Sequence, residues 1–220
     1  MIRKLVLYSD QVIPENAKID RRLASLIGKQ NPIIGYIPSS SDPERIWFKQ
    51  KQVYYETLGL NLSVYFEIDV NYEPSMFHSL LRCDAIHLSG GNTYHFLYWL
   101  RVRGLIVPLQ EYVANGGTLI GTSAGAILMT PEIGTARLCG DAPLTGEEMT
   151  DSSALGLVDF AFLPHLNDVE AATNVLEEYS QNYQRVIYGC PDGDGIIVNG
   201  EHIEYLGNIQ KAVSGSLVRV

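Results

Sequence analysis

The most chemically informative stretch is GGTLIGTSAGAILMTP, residues 116–131, which holds the pattern Gly121-Thr122-Ser123-Ala124-Gly125. An apolar, β-branched run precedes the serine and a run of small residues follows it. Serine on a sharp turn between a strand and a helix presents its Oγ at the top of a sheet, and small neighbours are needed because side chains on either side would collide in so tight a bend. Gly121, Ala124, Gly125 and Ala126 meet that demand. The chemistry would be nucleophilic attack, with the first amide groups of the following helix near the developing oxyanion. The plainer alternative is a serine that only caps a helix.

A serine nucleophile needs a base. Among the five histidines, His87 sits in an apolar strand-like run and His95 on a helix, while His78 and His202 have polar surroundings without special context. His165 stands apart: it follows Ala-Phe-Leu-Pro at the end of a predicted strand and precedes Asn167-Asp168-Val169-Glu170, which reads as a helix start with a capping-box-like pair. The carboxylate that would hold the imidazole in one tautomer is expected at Asp141, whose loop is fixed by Gly140 and Pro143, with Glu132 second. Glu147-Glu148 reads as a solvated acidic pair. A second oxyanion donor is expected from Ser89-Gly90-Gly91-Asn92, so Gly91 and Ala124 are the paired amide donors.

These residues need a frame to position them. KLVLY (4–8), PIIGYIP (32–38), NLSVYFEI (61–68), 84–88 and TLIGTS (118–123) read as strands. Between them lie helical patterns: Ile19, Leu23, Leu26 and Ile27 ending at Gly28; a helix from Asp42-Pro43 to Gly59; a segment over 73–82; and a helix from Asn92 with Phe96, Leu97 and Leu100 inward. Alternation of strand and helix implies crossovers, hence a mainly parallel sheet with helices on both faces and ligands beyond the carboxyl ends of its strands. After a strand near 159–163, a helix (Val169, Ala172, Leu176, Tyr179, Tyr183) and a strand over 185–190, the segments PDGDG, VNGE and VSGS are spaced as hairpin turns, so the C-terminal region is expected to be antiparallel. No linker-like stretch divides the chain, and one domain over 1–220 is the expectation.

Composition narrows the partners. The 220 residues are 46% hydrophobic and 19% charged, and 16 Lys+Arg against 25 Asp+Glu give a net charge of −9. A phosphate backbone would meet repulsion, so no nucleic acid partner is expected, and the four apolar residues after Arg3-Lys4 are too few for a membrane span or leader. A cytoplasmic protein with no membrane partner follows. Cys83, Cys139 and Cys190 are odd in number and widely spaced, without a CxxC pair, which argues for reduced thiols and against a zinc site. Thirteen tyrosines and two tryptophans leave room for a homodimer interface that nothing in the sequence localises.

Together SGGNTYHFL (89–97), GGTLIGTSAGAILMTP (116–131) and FLPHLND (162–168) resemble peptidase family S51, which includes aspartyl dipeptidase (peptidase E) and cyanophycinase. IGYIPSSSDPE (34–44) and PDGDGIIVNGE (191–201) look like members of the same family. The resemblance implies an α/β flavodoxin-like three-layer sandwich, similar to the class I glutamine amidotransferase domain with serine in place of cysteine. It also implies serine peptidase activity on short peptides without a metal or organic cofactor, with Ser123, His165 and Asp141 in the catalytic roles and Gly91 and Ala124 as the oxyanion hole. Asn92 and Arg137 are the candidate substrate-binding residues, Arg137 against the plainer reading of a surface arginine or a partner for Asp141. One departure touches specificity: the arginine that aspartyl dipeptidases carry shortly after the histidine is absent here, the next being Arg185. The alternatives are an αβ-hydrolase esterase, disfavoured by the 55 residues after His165 and the lack of an HGG-type loop, and a non-catalytic ligand-binding protein of the same fold.

Overall fold

The computed structural model describes residues 3–220, the side chains of 169–172 excepted. Among the described residues the central sheet has seven strands. β3 (Asn61–Tyr65), β2 (Ile33–Ile37), β4 (Ala85–Leu88), β5 (Thr118–Thr122) and β1 (Lys4–Tyr8) run parallel in that spatial order, and β8 (Gly195–Asn199) and β9 (His202–Leu206) continue the sheet beyond β1 by antiparallel pairing. Side chains alternate across a strand, and here each face meets its own layer of helices. Leu5, Leu7, Ile86, Leu88, Leu119 and Val198 face a core completed by α4 (Thr93–Val102), α5 (Ile106–Ala114) and α6 (Ala124–Ile127). Val6, Tyr8, Ile34, Tyr36, Ile120 and Ile197 face α1 (Ala17–Ile27) and α2 (Ile46–Thr57). Apolar runs buried on both sides are what a helix-covered parallel sheet requires.

The helix ends follow local chemistry. Gly28 takes a left-handed φ of 65° and returns its N–H to the Ala24 carbonyl, closing α1. Asp42 accepts from the Ile46 N–H at 2.9 Å and the Trp47 N–H at 2.8 Å, so it caps α2, although the helix begins beyond Pro43. The segment expected as one helix over 73–82 is a 3₁₀ turn followed by α3 (Phe77–Leu81). α5, which the periodicity did not single out, tolerates Pro108 because the proline sits in its first turn, where no amide partner is needed.

The C-terminal third holds the expected antiparallel hairpins, with one expected turn in a different role and with a second sheet beside the first. A second sheet has the order β11 (Ser216–Val218), β10 (Gln210–Val213), β7 (Ile187–Gly189), β6 (Ala161–Leu163). β6 and β7 are parallel, joined through α7 (Val169–Asn182), whose Leu176 and Tyr179 cover Leu163 and Ile187. Phe162 and Tyr188, on the opposite face, join the core of the central sheet. VNGE and VSGS do close hairpins, β8 to β9 and β10 to β11, but PDGDG carries the chain from the second sheet into the central one. Tyr183 stacks on Tyr179 yet is 53% exposed, so it is not part of the core; the side chains of Val169 and Ala172 lie outside the described residues.

Candidate active site

Ser123 occupies the bend between β5 and α6 with φ 51° and ψ −110°, a conformation that L residues rarely adopt. Contacts on both sides hold it there. Its N–H donates to the Tyr8 carbonyl at 3.0 Å, and the Gly125 N–H donates to the Ser89 carbonyl at 3.0 Å. A Cβ on Gly121 would lie 2.4 Å from the Gly125 carbonyl carbon and one on Gly125 would lie 2.1 Å from the Leu88 oxygen, so the bend closes only without side chains at these positions. The amides of Gly125 and Ala126 are taken by the Ser89 and Ser123 carbonyls, which leaves the Ala124 amide beside the serine. Gly91 lies across the same cavity with φ 131°, its backbone pressed against Ser39 so closely that a Cβ would meet the Ser39 Oγ at 2.1 Å.

His165 arrives from the second sheet. Its Nε2 is 2.8 Å from Ser123 Oγ, across 42 residues of sequence. The loop after β6 is anchored by the His165 N–H donating to Ser9 Oγ at 2.7 Å and by the Leu166 N–H donating to the Cys190 carbonyl at 3.0 Å, with His165 itself at φ 61°. The carboxylate against the other ring nitrogen is Asp192, not Asp141: Asp192 Oδ1 is 2.6 Å from His165 Nδ1. Asn167 fixes it reciprocally, donating from Nδ2 to Asp192 Oδ2 at 2.7 Å and accepting the Asp192 N–H at 2.9 Å, while Ser9 Oγ lies 3.2 Å from Oδ1. Partial burial disfavours the charged carboxylate, but the hydrogen bonds from Asn167, His165 and Ser9 outweigh it and hold Asp192 below the usual carboxylate range. Asp192 is therefore ionised at neutral pH and oriented at the imidazole.

The other expected residues have different partners. Asp141 accepts from the Thr93 N–H at 2.9 Å and the Thr93 hydroxyl at 2.6 Å, serving the start of α4. Glu132 bridges to Ser153 and lies 3.8 Å from Arg185. Asn92 caps α4 through the His95 N–H at 3.0 Å and donates to the Ala142 carbonyl at 2.9 Å, and Arg137 donates to the Tyr94 hydroxyl at 2.9 Å. Asn92, Arg137 and Asp141 thus bind the 134–142 segment to α4, and none of them lines the cavity at Ser123. That cavity, about 450 Å³, is lined by Ser123, His165, Gly91, Asp10, Trp47 and Lys51 among others. Its charged side chains are Asp10, Asp42 and Lys51, of which the Asp42 carboxylate is taken by the Ile46 and Trp47 amides. Ser9, Asp192, Asp10 and Lys51 went unnoticed in the sequence because PDGDG reads as a turn and the other three carry no motif; the only available hint was that Asp192, like His165, closely follows a strand.

Among the described residues, no group of three or more His, Cys, Asp or Glu side chains is arranged to hold a metal ion, and no helix is long and apolar enough to cross a membrane.

An uncharacterized peptidase of Listeria innocua is 30% identical over 182 residues, covering 79% of this chain and 84% of the relative. Peptidase E of Salmonella arizonae is 27% identical over 216 residues, 91% of this chain and 89% of the relative. Among solved structures, a Listeria monocytogenes protein provisionally named as a peptidase E superposes with a TM-score of 0.73 at 26% identity, covering 94% of this chain and all of that one. A peptidase from an acI-B1 Actinobacterium shares the fold with a TM-score of 0.61 at 17% identity. The family model of peptidase family S51 matches residues 5–206, and the chain belongs to that family.

Proposed function

We propose that this protein is a serine peptidase that cleaves short peptides through an acyl-enzyme, with Ser123 as nucleophile, His165 as general base and Asp192 as the orienting carboxylate. The observation that carries the reading is the continuous contact from Ser123 Oγ to His165 Nε2 at 2.8 Å and from His165 Nδ1 to Asp192 at 2.6 Å. An ionised Asp192 on Nδ1 places the proton there and leaves Nε2 able to accept. His165 takes the Ser123 proton as Oγ forms a bond to the peptide carbonyl carbon. The amides of Gly91 and Ala124 stabilise the oxyanion, and the protonated imidazole then gives its proton to the departing amine as the C–N bond breaks. Water, deprotonated by the same imidazole, repeats the sequence on the ester and frees the acid. Asp141 and Glu132 have no part in this scheme.

The charged groups of the cavity suit a short peptide, whose ammonium can meet Asp10 and whose carboxylate can meet Lys51. Lys51 fills the place in this reading that Arg137 held in the sequence-based one. The test is hydrolysis of a dipeptide and tripeptide library by the wild-type protein beside Ser123→Ala, together with labelling by a fluorophosphonate probe. Turnover and labelling that both vanish in the variant support the proposal; equal turnover by the variant ends it. Cleavage of esters without cleavage of amides would move the protein to the esterase alternative, and a wild-type protein inert to both would favour the ligand-binding one.

A further inference from the structure

One histidine that this mechanism does not use lies directly behind the nucleophile. His87, in β4, is completely buried and bonded at both ring nitrogens, to Tyr55 Oη at 3.0 Å through Nδ1 and to Thr122 Oγ1 at 3.1 Å through Nε2. The direction of every hydrogen bond in the surrounding chain follows from its outer end. Lys51 Nζ is 2.6 Å from Gln11 Oε1, and an ammonium can only donate, so the amide oxygen of Gln11 faces the lysine and its NH₂ faces Tyr55, at 3.5 Å. Tyr55 accepts there, and because His87 Nδ1 is the only acceptor beside its hydroxyl among the described residues, its own proton goes to that nitrogen. Burial, with the Lys51 charge adding to it, pushes the pKa of His87 well below the usual value, so the ring is neutral and carries one proton. With Nδ1 accepting, that proton sits on Nε2 and points at Thr122.

The consequence falls on Thr122, the residue before the nucleophile and part of the wall of the same cavity. Its oxygen accepts from His87, so its hydroxyl proton must point elsewhere, and among the described residues the side chain has no other recorded partner. Building on the peptidase reading, we infer that the Thr122 hydroxyl is a substrate-binding donor, aimed into the Ser123 cavity by the directed chain Lys51, Gln11, Tyr55 and His87. Its target is an acceptor atom of the bound peptide, a carbonyl or carboxylate oxygen. Gln11, Tyr55 and His87 are positioning residues, Lys51 adding the direction of the chain to its own place in the cavity, and the arrangement lets the sheet present a donor of fixed direction one residue from the attacking oxygen.

The experiment is steady-state kinetics on a peptide that the library identifies as cleaved. Thr122→Val, which keeps shape and removes the hydroxyl, is expected to raise KM about tenfold with kcat within about twofold, the signature of a contact made equally in ground and transition states. Thr122→Ser restores the donor and returns KM to within about twofold of wild type. Tyr55→Phe, which no longer fixes the ring tautomer, raises KM about threefold in the wild-type background and adds little to Thr122→Val, because both act on one donor. Nitrogen-15 NMR of the wild-type protein is expected to find His87 protonated at Nε2. Wild-type KM in Thr122→Val, or a His87 proton on Nδ1, overturns the inference while leaving the peptidase reading intact. If Thr122→Val does not fold, the tautomer and Tyr55→Phe decide. A wild-type protein that neither cleaves peptides nor reacts with the fluorophosphonate overturns both.

Discussion

The two sheets contribute to the site in different ways. The central sheet supplies Ser123 from one short stretch of sequence, a strand, a bend without side chains at Gly121 and Gly125, and a short helix, all within ten residues of each other and held in place by the neighbouring strands β1 and β4. The second sheet supplies His165 and Asp192 through pairing at a distance. β6 and β7 are parallel neighbours, so the residues just past Leu163 and Gly189 emerge at the same rim, and His165 and Asp192, 27 positions apart, meet there. Ser9, at the end of the central strand β1, stitches the two together by accepting the His165 N–H. A nucleophile can be encoded by one motif, whereas its base and carboxylate depend on which strands lie side by side.

That contrast can be tested from its strongest consequence to its weakest. Ser123→Ala removes the group that the local motif exists to present, and peptide turnover is expected to fall by about four to six orders of magnitude, read as kcat on the best library substrate. Asp192→Asn leaves the distant pairing intact but takes away the charge on Nδ1; kcat is expected to fall about 10³- to 10⁴-fold, while Asp141→Ala stays within about threefold. The reverse ranking would return the carboxylate role to the 141 loop. Ser9→Ala cuts the tie between the sheets and is expected to lower kcat about tenfold, with fluorophosphonate labelling slowed in proportion.

Two smaller effects concern stability. Below about pH 6.5 the unfolded chain protonates the residue-87 imidazole but the folded one does not, since burial depresses its pKa. The unfolded state then binds more protons, so stability falls as pH falls, with a slope of up to about 1.4 kcal/mol per pH unit from this group. Urea unfolding of His87→Gln between pH 6.5 and 5 is expected to lack that component. Asp141→Ala, which takes two hydrogen bonds from the start of α4, is expected to cost about 1 kcal/mol in the same assay.

Much of the frame could be read in advance. The five parallel strands were legible as β-branched apolar runs, α1 from its periodic leucines and Gly28, and the cap at Asn92 from its position after Gly90-Gly91. Ser123 and His165 were legible because each sits at a strand end next to residues that force a turn. Asp192 was not, because Pro-Asp-Gly-Asp-Gly has the composition of a hairpin turn and only the parallel partnership of β6 with β7 makes it a strand-end carboxylate. Asp141 looked suitable for the complementary reason: a loop held by glycine and proline is rigid, and rigidity serves a helix cap as well as it serves catalysis.

The sequence by itself determined where the chain can bend without a side chain, where apolar runs must be covered on two faces, and hence that a serine stands at the carboxyl edge of a sheet. Those features are written in short runs of residue type, although contacts from Tyr8, Leu88 and Ser89 complete the bend. Which carboxylate reaches the imidazole, which cation enters the cavity and which way a buried hydrogen-bond chain points were decided only when β6 paired with β7 and α2 settled on the central sheet, because each of these contacts joins groups far apart in sequence whose encounter no local preference encodes.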